Sequence, residues 1–310
     1  MNRLLPWLRK FLAPGAPVVA GPARPDAAGK SARAAPPRAP VRPVAPPPEL
    51  QFFSWLLDAP PADAAMTPAE RALLAHLDGV IASEEQRSEL VPRARAIIPQ
   101  LMHSLRDENQ SVQALTARVA RDPNLVVEVL HLASGIGYGN GTPVADLTQA
   151  VGRLGTEGLR RAIARILLKP IFDAQADPLL ARTSERLWLH AESTADLCLR
   201  TAAIARVEPF DAYLAGLMYN VGWTAAFRAL DRSPGGASAA MSAEFVLALG
   251  PRRERLFALL VQSWGLGDAL GTLAVQMLAN EDAGAAPLRT LLHSADRAAF
   301  LQLLRGADAT

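Results

Sequence analysis

From Gln51 to about Leu304 the apolar residues of this chain recur every three to four positions, and no alternating run of convincing length interrupts them. That spacing places apolar side chains on one face of an α-helix, whereas a half-buried strand needs a period of two. The body is therefore expected to be all-α. Prolines, glycines and small polar residues divide it into helices. Thr67-Pro68-Ala69-Glu70 reads as a capping box with proline in the first turn, followed by Leu73, Leu74, Leu77, Val80 and Ile81. Ahead of it, Phe52, Phe53, Trp55, Leu56 and Leu57 form an apolar cluster that stops at Pro60-Pro61. Helices are further expected over Ile98–Leu105, Val112–Ala120, Thr156 to about Pro170, and Leu179 to about Arg206, the last started by Asp177-Pro178. One continuous helix is expected from Pro209 through Phe227. Two separate ones, Met241–Leu249 and Arg252–Trp264, follow; then Asp268 caps Ala269–Ala279, and Pro287 opens a last helix to about Leu304.

The stretch Ala120–Gly155 is the densest in signals. Asp122 followed by Pro123 starts a helix, since the carboxylate accepts from free backbone N–H groups and proline fits the first turn. Leu125, Val129, Leu132 and Ala133 then share one stripe. Gly135, Gly137, Gly139 and Gly141 alternate in the loop that follows. A phosphate cradle of that composition needs a strand before it and a helix N-terminus beneath it. What precedes is helical, so the loop reads as a tight connection that uses positive φ. Asp146 with Gln149 forms a second capping box, and Gly155 is a C-cap for a helix ending at Leu154.

The ends differ in kind from the body. Residues 1–49 carry eight Lys/Arg against Asp26 and Glu49, a net of +6; the remaining residues carry 24 basic and 28 acidic groups, a net of −4. The basic balance belongs to the tail, and the body shows no basic excess of the kind that binds nucleic acid. In residues 1–12, Leu4, Trp7, Leu8, Phe11 and Leu12 share one side of a helix, and Arg3, Arg9 and Lys10 fall elsewhere. Such a segment lies on membranes or docks in a groove; an idle disordered tail is the alternative. A signal peptide is disfavoured because Pro14, Gly15 and Pro17 break the apolar region after Lys10. Between Ala13 and Glu49 there are eleven prolines in 37 residues, a disordered Pro/Ala-rich linker that buries no core. The single cysteine, Cys198, excludes an internal disulfide and fits a reducing compartment.

The order DP-x-L, Gly/Tyr loop, LTQAVGRLG (Leu147–Gly155), LWLHAEST (Leu187–Thr194), AYLAGLMYNVG (Ala212–Gly222) and SWGL (Ser263–Leu266) resembles the HDOD domain. This is a helical bacterial signalling module related to HD-type metal-dependent phosphohydrolases. The resemblance implies an HD/HDOD-like multi-helix bundle over residues 92–284, preceded by a helical lead-in over 50–91 and followed by a C-terminal helix over 285–310 that packs on it. Asp122, Pro123, Gly155, Gly216, Gly222 and Trp264 are its signature structural positions.

HD-type enzymes hold metal with a histidine on one helix, an adjacent His-Asp pair on another, and a further Asp. His190 matches the first; Tyr219-Asn220 fill the pair, and Gln276-Met277 stand where related proteins often carry two histidines. A phenol is a poor divalent-metal ligand at neutral pH, and an amide lacks the carboxylate's charge. His190, Tyr219 and Asn220 are thus expected to line a degenerate pocket with no catalytic residue, no metal and no cofactor. His76, His103, His131 and His293 stand singly, and HExxH, GxSxG and Walker A motifs are missing from the sequence. The resemblance implies a non-catalytic cytoplasmic module with protein partners in bacterial signalling, no nucleic acid, and peripheral membrane contact through residues 1–12. A divergent phosphohydrolase and a nucleotide second-messenger binding module are the alternatives.

Overall fold

A computed structural model describes residues 46–94, 96–99, 112–135, 142–173, 177–236, 241–279 and 286–308. Residues 1–45, with the basic segment and most of the linker, most of the helix expected over Ile98–Leu105 including His103, and the loop glycines after Gly135 lie outside the described residues. Pro48 and Glu49, expected in the linker, instead open the first helix. Among the described residues there are helices and one isolated parallel bridge, Ala62 with Ser242, and no strand. In chain order the helices are α1 Pro48–Leu57, α2 Pro68–Ala82, α3 Glu84–Leu90, α4 Val112–Val119, α5 Pro123–Ser134 and α6 Leu147–Phe172. Then come α7 Pro178–Ala205, α8 Pro209–Met218, α9 Val221–Asp231, α10 Ala243–Trp264, α11 Asp268–Leu278 and α12 Pro287–Asp308.

Helix α7 is the central element. It packs along α8, α9 and α12 and also meets α1 and α6. Its buried side, with Leu187, His190, Ala191, Thr194, Ala195 and Cys198, faces these neighbours. Burial pushes the Cys198 thiol up to about 12, which leaves it a small apolar filler. A second, smaller core joins α4, α5 and α6 through Val119, Leu125, Val129, Leu154 and Ile163.

Several helix starts follow the sequence signals. Thr67 Oγ1 accepts from Glu70 N and the Glu70 carboxylate accepts from Thr67 N, the reciprocal pair of a capping box. Asp122 caps α5 by accepting from Asn124 and Leu125 N–H. Asp146 accepts from Gln149 N at 2.8 Å, but the Gln149 side chain accepts from Ala145 N rather than from Asp146. Gly155, at φ 62° and ψ −171°, breaks the helical path inside α6, a conformation that only glycine adopts without strain.

Other starts and stops differ from expectation. Asp177 precedes α7 but makes no cap hydrogen bond, because Arg228 Nε donates to it at 3.2 Å. The α7 start is capped from another helix instead: Asp231 accepts from Leu179 N and Leu180 N at 3.0–3.2 Å. Asp268 is the first residue of α11 and not its cap; Gly267 takes that place at φ 96°. Gly135 has φ −65°, so no positive φ is used there. Met241–Leu249 and Arg252–Trp264 are parts of one helix, α10, with Pro251 inside it. The carbonyl that Pro251 cannot serve belongs to Leu247, which is exposed, so water can take the missing hydrogen bond. Conversely, the helix expected from Pro209 through Phe227 breaks at Tyr219-Asn220 into α8 and α9.

Glycine sets that break. A Cβ on Gly222 would lie 2.3 Å from the Arg253 carbonyl oxygen, so α9 seats directly on the α10 backbone. A Cβ on Gly216 would lie 2.8 Å from Ala195 Cα, which brings α8 equally close to α7. Between these two contacts the chain has to turn, and Tyr219 and Asn220 are the residues of the turn.

Candidate functional site

The α8–α9 turn and the middle of α7 bring His190, Tyr219 and Asn220 to one place, all about 1% exposed. The Asn220 amide Nδ2 donates to Leu187 O at 2.8 Å and lies 3.0 Å from His190 Nδ1. A carbonyl oxygen opposite Leu187 O would repel it, so the amide orientation is fixed and His190 Nδ1 is the acceptor. His190 Nε2 lies 3.0 Å from the Asp296 backbone carbonyl, to which it donates. The imidazole therefore carries its proton on Nε2, and both ring nitrogens are used. Above it sits the Phe52 ring of α1, with centroids 5.0 Å apart, and the Trp55 ring at 6.4 Å.

Tyr219 points the other way. Its hydroxyl donates to Glu254 Oε1 at 3.0 Å, and the Arg253 guanidinium lies 4.0 Å over its ring. Burial pushes the phenol well above its ordinary value; Arg253 opposes that shift, and Glu254 and Asp296 add to it. For Arg253, burial disfavours the charge, yet Tyr219, Asp296 and Glu254 outweigh it and hold the group above its ordinary value. Arg253 Nη2 faces Asp296 Oδ2 at 3.7 Å, and His293 Nε2 faces Glu254 Oε1 at 3.8 Å. Burial holds the His293 imidazole below its ordinary value, with Glu254 opposing.

These groups flank a cleft of about 600 Å³ between α1, α9, α10 and α12. Tyr219 lines it; His190 and Asn220 do not, and the Phe52 ring that lines the cleft lies against His190. Trp264 ends α10 away from this cleft, before Gly265 in the left-handed region. The residues that the sequence reading missed are Phe52, Arg253, Glu254, His293 and Asp296. They come from α1, α10 and α12, and Arg253-Glu254 sit in a run, Pro251–Leu256, that reads locally as a charged surface.

An HD-type metal centre needs open imidazole nitrogens and a carboxylate at the positions of His190 and Asn220. Here one imidazole nitrogen accepts from an amide and the other donates to a carbonyl. The carboxylates nearby are engaged with Arg253 and Tyr219. Among the described residues no group of three or more His, Cys, Asp or Glu side chains could hold a metal ion. The residues present do not fit the metal centre.

The chain matches the HDOD domain over residues 91–279. No curated protein matches it. Among solved structures, it is similar to an HDOD domain protein of unknown function from Geobacter sulfurreducens. That likeness has 20% identity and a TM-score of 0.48, and covers 69% of this chain and 78% of that one. A phosphohydrolase candidate from Shewanella amazonensis SB2B has 20% identity and a TM-score of 0.47, with 74% and 80% covered. Among the described residues no helix is long and apolar enough to cross a membrane. The matched residues span the helices from α4 to α11, with α1 and α12, which cover His190, outside them, and the chain belongs to the HDOD domain family.

Proposed function

We propose that this HDOD domain is a non-catalytic signalling module that works through contact with another protein. The observation that supports it is the use of both His190 ring nitrogens in hydrogen bonds within the fold. Hydrolysis by a metal centre requires about three protein ligands and an open position for water. An imidazole whose lone pair already accepts an amide N–H would have to break that bond to bind an ion, leaving the Asn220 amide with Leu187 O as its one remaining acceptor of the pair. Tyr219 adds no base, since burial keeps its phenol protonated and its hydroxyl is spent on Glu254. The same groups serve well as a rigid junction. They tie α7, α9, α10 and α12 together, and a rigid helical body presents a fixed outer surface to a partner.

The test is elemental analysis of purified protein together with hydrolysis assays on phosphoesters and cyclic nucleotides in the presence of manganese, iron or zinc. The expected result is no stoichiometric metal and no turnover, with His190→Ala changing stability and nothing else. Stoichiometric metal that disappears in His190→Ala, accompanied by loss of a hydrolytic activity, would overturn the reading and restore the enzyme.

A further inference from the structure

We propose that the basic amphipathic segment of residues 1–12 docks onto its own chain, in the cleft between α1, α10 and α12. The cleft has an apolar floor of Phe52, Trp223 and Phe300 and an apolar rim of Pro251 and Leu247, the latter 42% exposed. A volume near 600 Å³ falls in the range that takes a drug-sized body, hence an indole with a phenyl ring. Trp7 and Phe11 lie on the apolar side of the segment and supply those two rings. Arg3, Arg9 and Lys10 lie off that side. In the cleft wall stand three carboxylates, Glu49, Glu254 and Asp296, against two guanidiniums. Arg253 is buried and pairs with Asp296 at 3.7 Å, so those two offset each other and Glu49 and Glu254 are left against the exposed Arg297 of the rim. The wider balance has the same sign: +6 over residues 1–49 against −4 over the rest.

The position of the tether argues for this occupant over any other. Pro48 and Glu49, the first turn of α1, line the cleft themselves, and the described chain begins at residue 46. The linker therefore delivers the segment at the mouth of the cleft. Residues 13–45 hold eight prolines in 33 positions, so the tether lies between a coil with a root-mean-square span of about 30 Å and an extended polyproline II chain of about 100 Å, and either length lets the segment return to the cleft. A tether in that range holds its end at an effective concentration on the order of millimolar. An intrinsic affinity of only about 1 mM would keep the segment docked roughly half the time. The amphipathic face used here is the face that a membrane or partner groove would take. Docking thus makes segment and cleft mutually occlusive, so that whatever binds one releases the other. This holds whether or not the domain is catalytic, and the metal assay above does not read it.

The experiment uses the full chain with Phe11 replaced by p-benzoylphenylalanine, irradiated at low concentration and mapped by peptide mass spectrometry. The expected result is intrachain adducts on the cleft rim, at α1 and near Leu247 and Pro251, with a yield independent of protein concentration. Leu247→Lys and, separately, Glu49→Lys change exposed side chains, and their circular dichroism melts should match the parent. Leu247→Lys should lower the adduct yield about tenfold, since it exchanges an apolar contact for a repelling charge. Glu49→Lys should lower it in low salt and less so in high salt. Absence of intrachain adducts, adducts between chains that grow with concentration, or a cleft yield indifferent to both variants would overturn the proposal. So would adducts confined to lipid and seen only after phosphatidylglycerol vesicles are added.

Discussion

The Asn220 amide nitrogen lies 3.0 Å from His190 Nδ1 and 2.8 Å from the Leu187 carbonyl oxygen, so one side chain locks the ring and the helix that carries it. In an HD-type site the residue at the Asn220 position is an aspartate. A carboxylate cannot donate to either acceptor, and it would place its charge against the Leu187 carbonyl in a site about 1% exposed. Asn220→Asp is therefore expected to destabilise the fold by about 2–4 kcal/mol and to bind no metal. Chemical denaturation and elemental analysis of the variant check both parts. Unchanged stability with stoichiometric metal would show that the site needs only its carboxylate back.

Arg228 is 2% exposed, and its guanidinium donates to Asp177 and to the carbonyls of Leu90, Ile171 and Asp173. It joins α9 to the ends of α3 and α6 and the start of α7. Removing it leaves three carbonyls without their donor and leaves the buried Asp177 with Arg232, at 3.8 Å, in place of its closer cation. Arg228→Met should cost about 3–5 kcal/mol, read as a shift of the urea midpoint. A cost under about 1 kcal/mol would mean that water replaces the guanidinium without difficulty.

Asp231, at the end of α9, caps the start of α7 in place of Asp177. Since Asp231 accepts from Leu179 and Leu180 N–H, Asp231→Ala should lose an N-cap worth about 1 kcal/mol and fray the first turn of α7. Amide hydrogen exchange at Leu179 and Leu180 should rise in that variant. Faster exchange there in Asp177→Asn, and none in Asp231→Ala, would reverse the assignment.

Glu70 links the starts of α2 and α10 by accepting from Thr67 N at 2.7 Å, Ser242 N at 2.6 Å and Ser242 Oγ at 3.0 Å. Burial alone would raise its pKa, but these hydrogen bonds outweigh burial and bring it below the ordinary carboxylate value. A folded pKa below the unfolded one means stability that is present above the unfolded value, about 4.3, and lost as pH falls through the folded one. Glu70→Gln should be less stable than the parent at neutral pH by about 1–3 kcal/mol, and the gap should narrow below about pH 4. Urea melts of both proteins across that range decide it; a gap constant with pH would contradict the assignment.

Most of the fold was legible because its helix starts carry local chemistry, as at Thr67, Asp122 and Asp146. The two chief departures have a common cause. Nothing beside Tyr219-Asn220 announces a break, and both residues keep φ near −60° to −75°; Gly222 seated on the Arg253 carbonyl ends α8 from outside. At Pro251 the local signal says stop, yet packing of α10 against α2, α9 and α11 carries the helix through. Local rules lose where neighbouring helices fix the path. The site was legible only in part for the same reason. His190 and Asn220 are visible as degenerate ligands in sequence, but their pairing spans 30 residues, and the Asp296 carbonyl that completes it lies 106 residues away. Phe52 and Trp55 read as an apolar cluster with no hint that they cover an imidazole.

The most direct measurement of the central claim is the ¹⁵N spectrum of His190, recorded through long-range couplings to its ring protons, with and without manganese or zinc. The account predicts a neutral ring with the proton on Nε2 and an acceptor Nδ1, both unchanged when excess metal is added. A proton on Nδ1, or a metal-induced shift or broadening of His190 at stoichiometric ion, would contradict it.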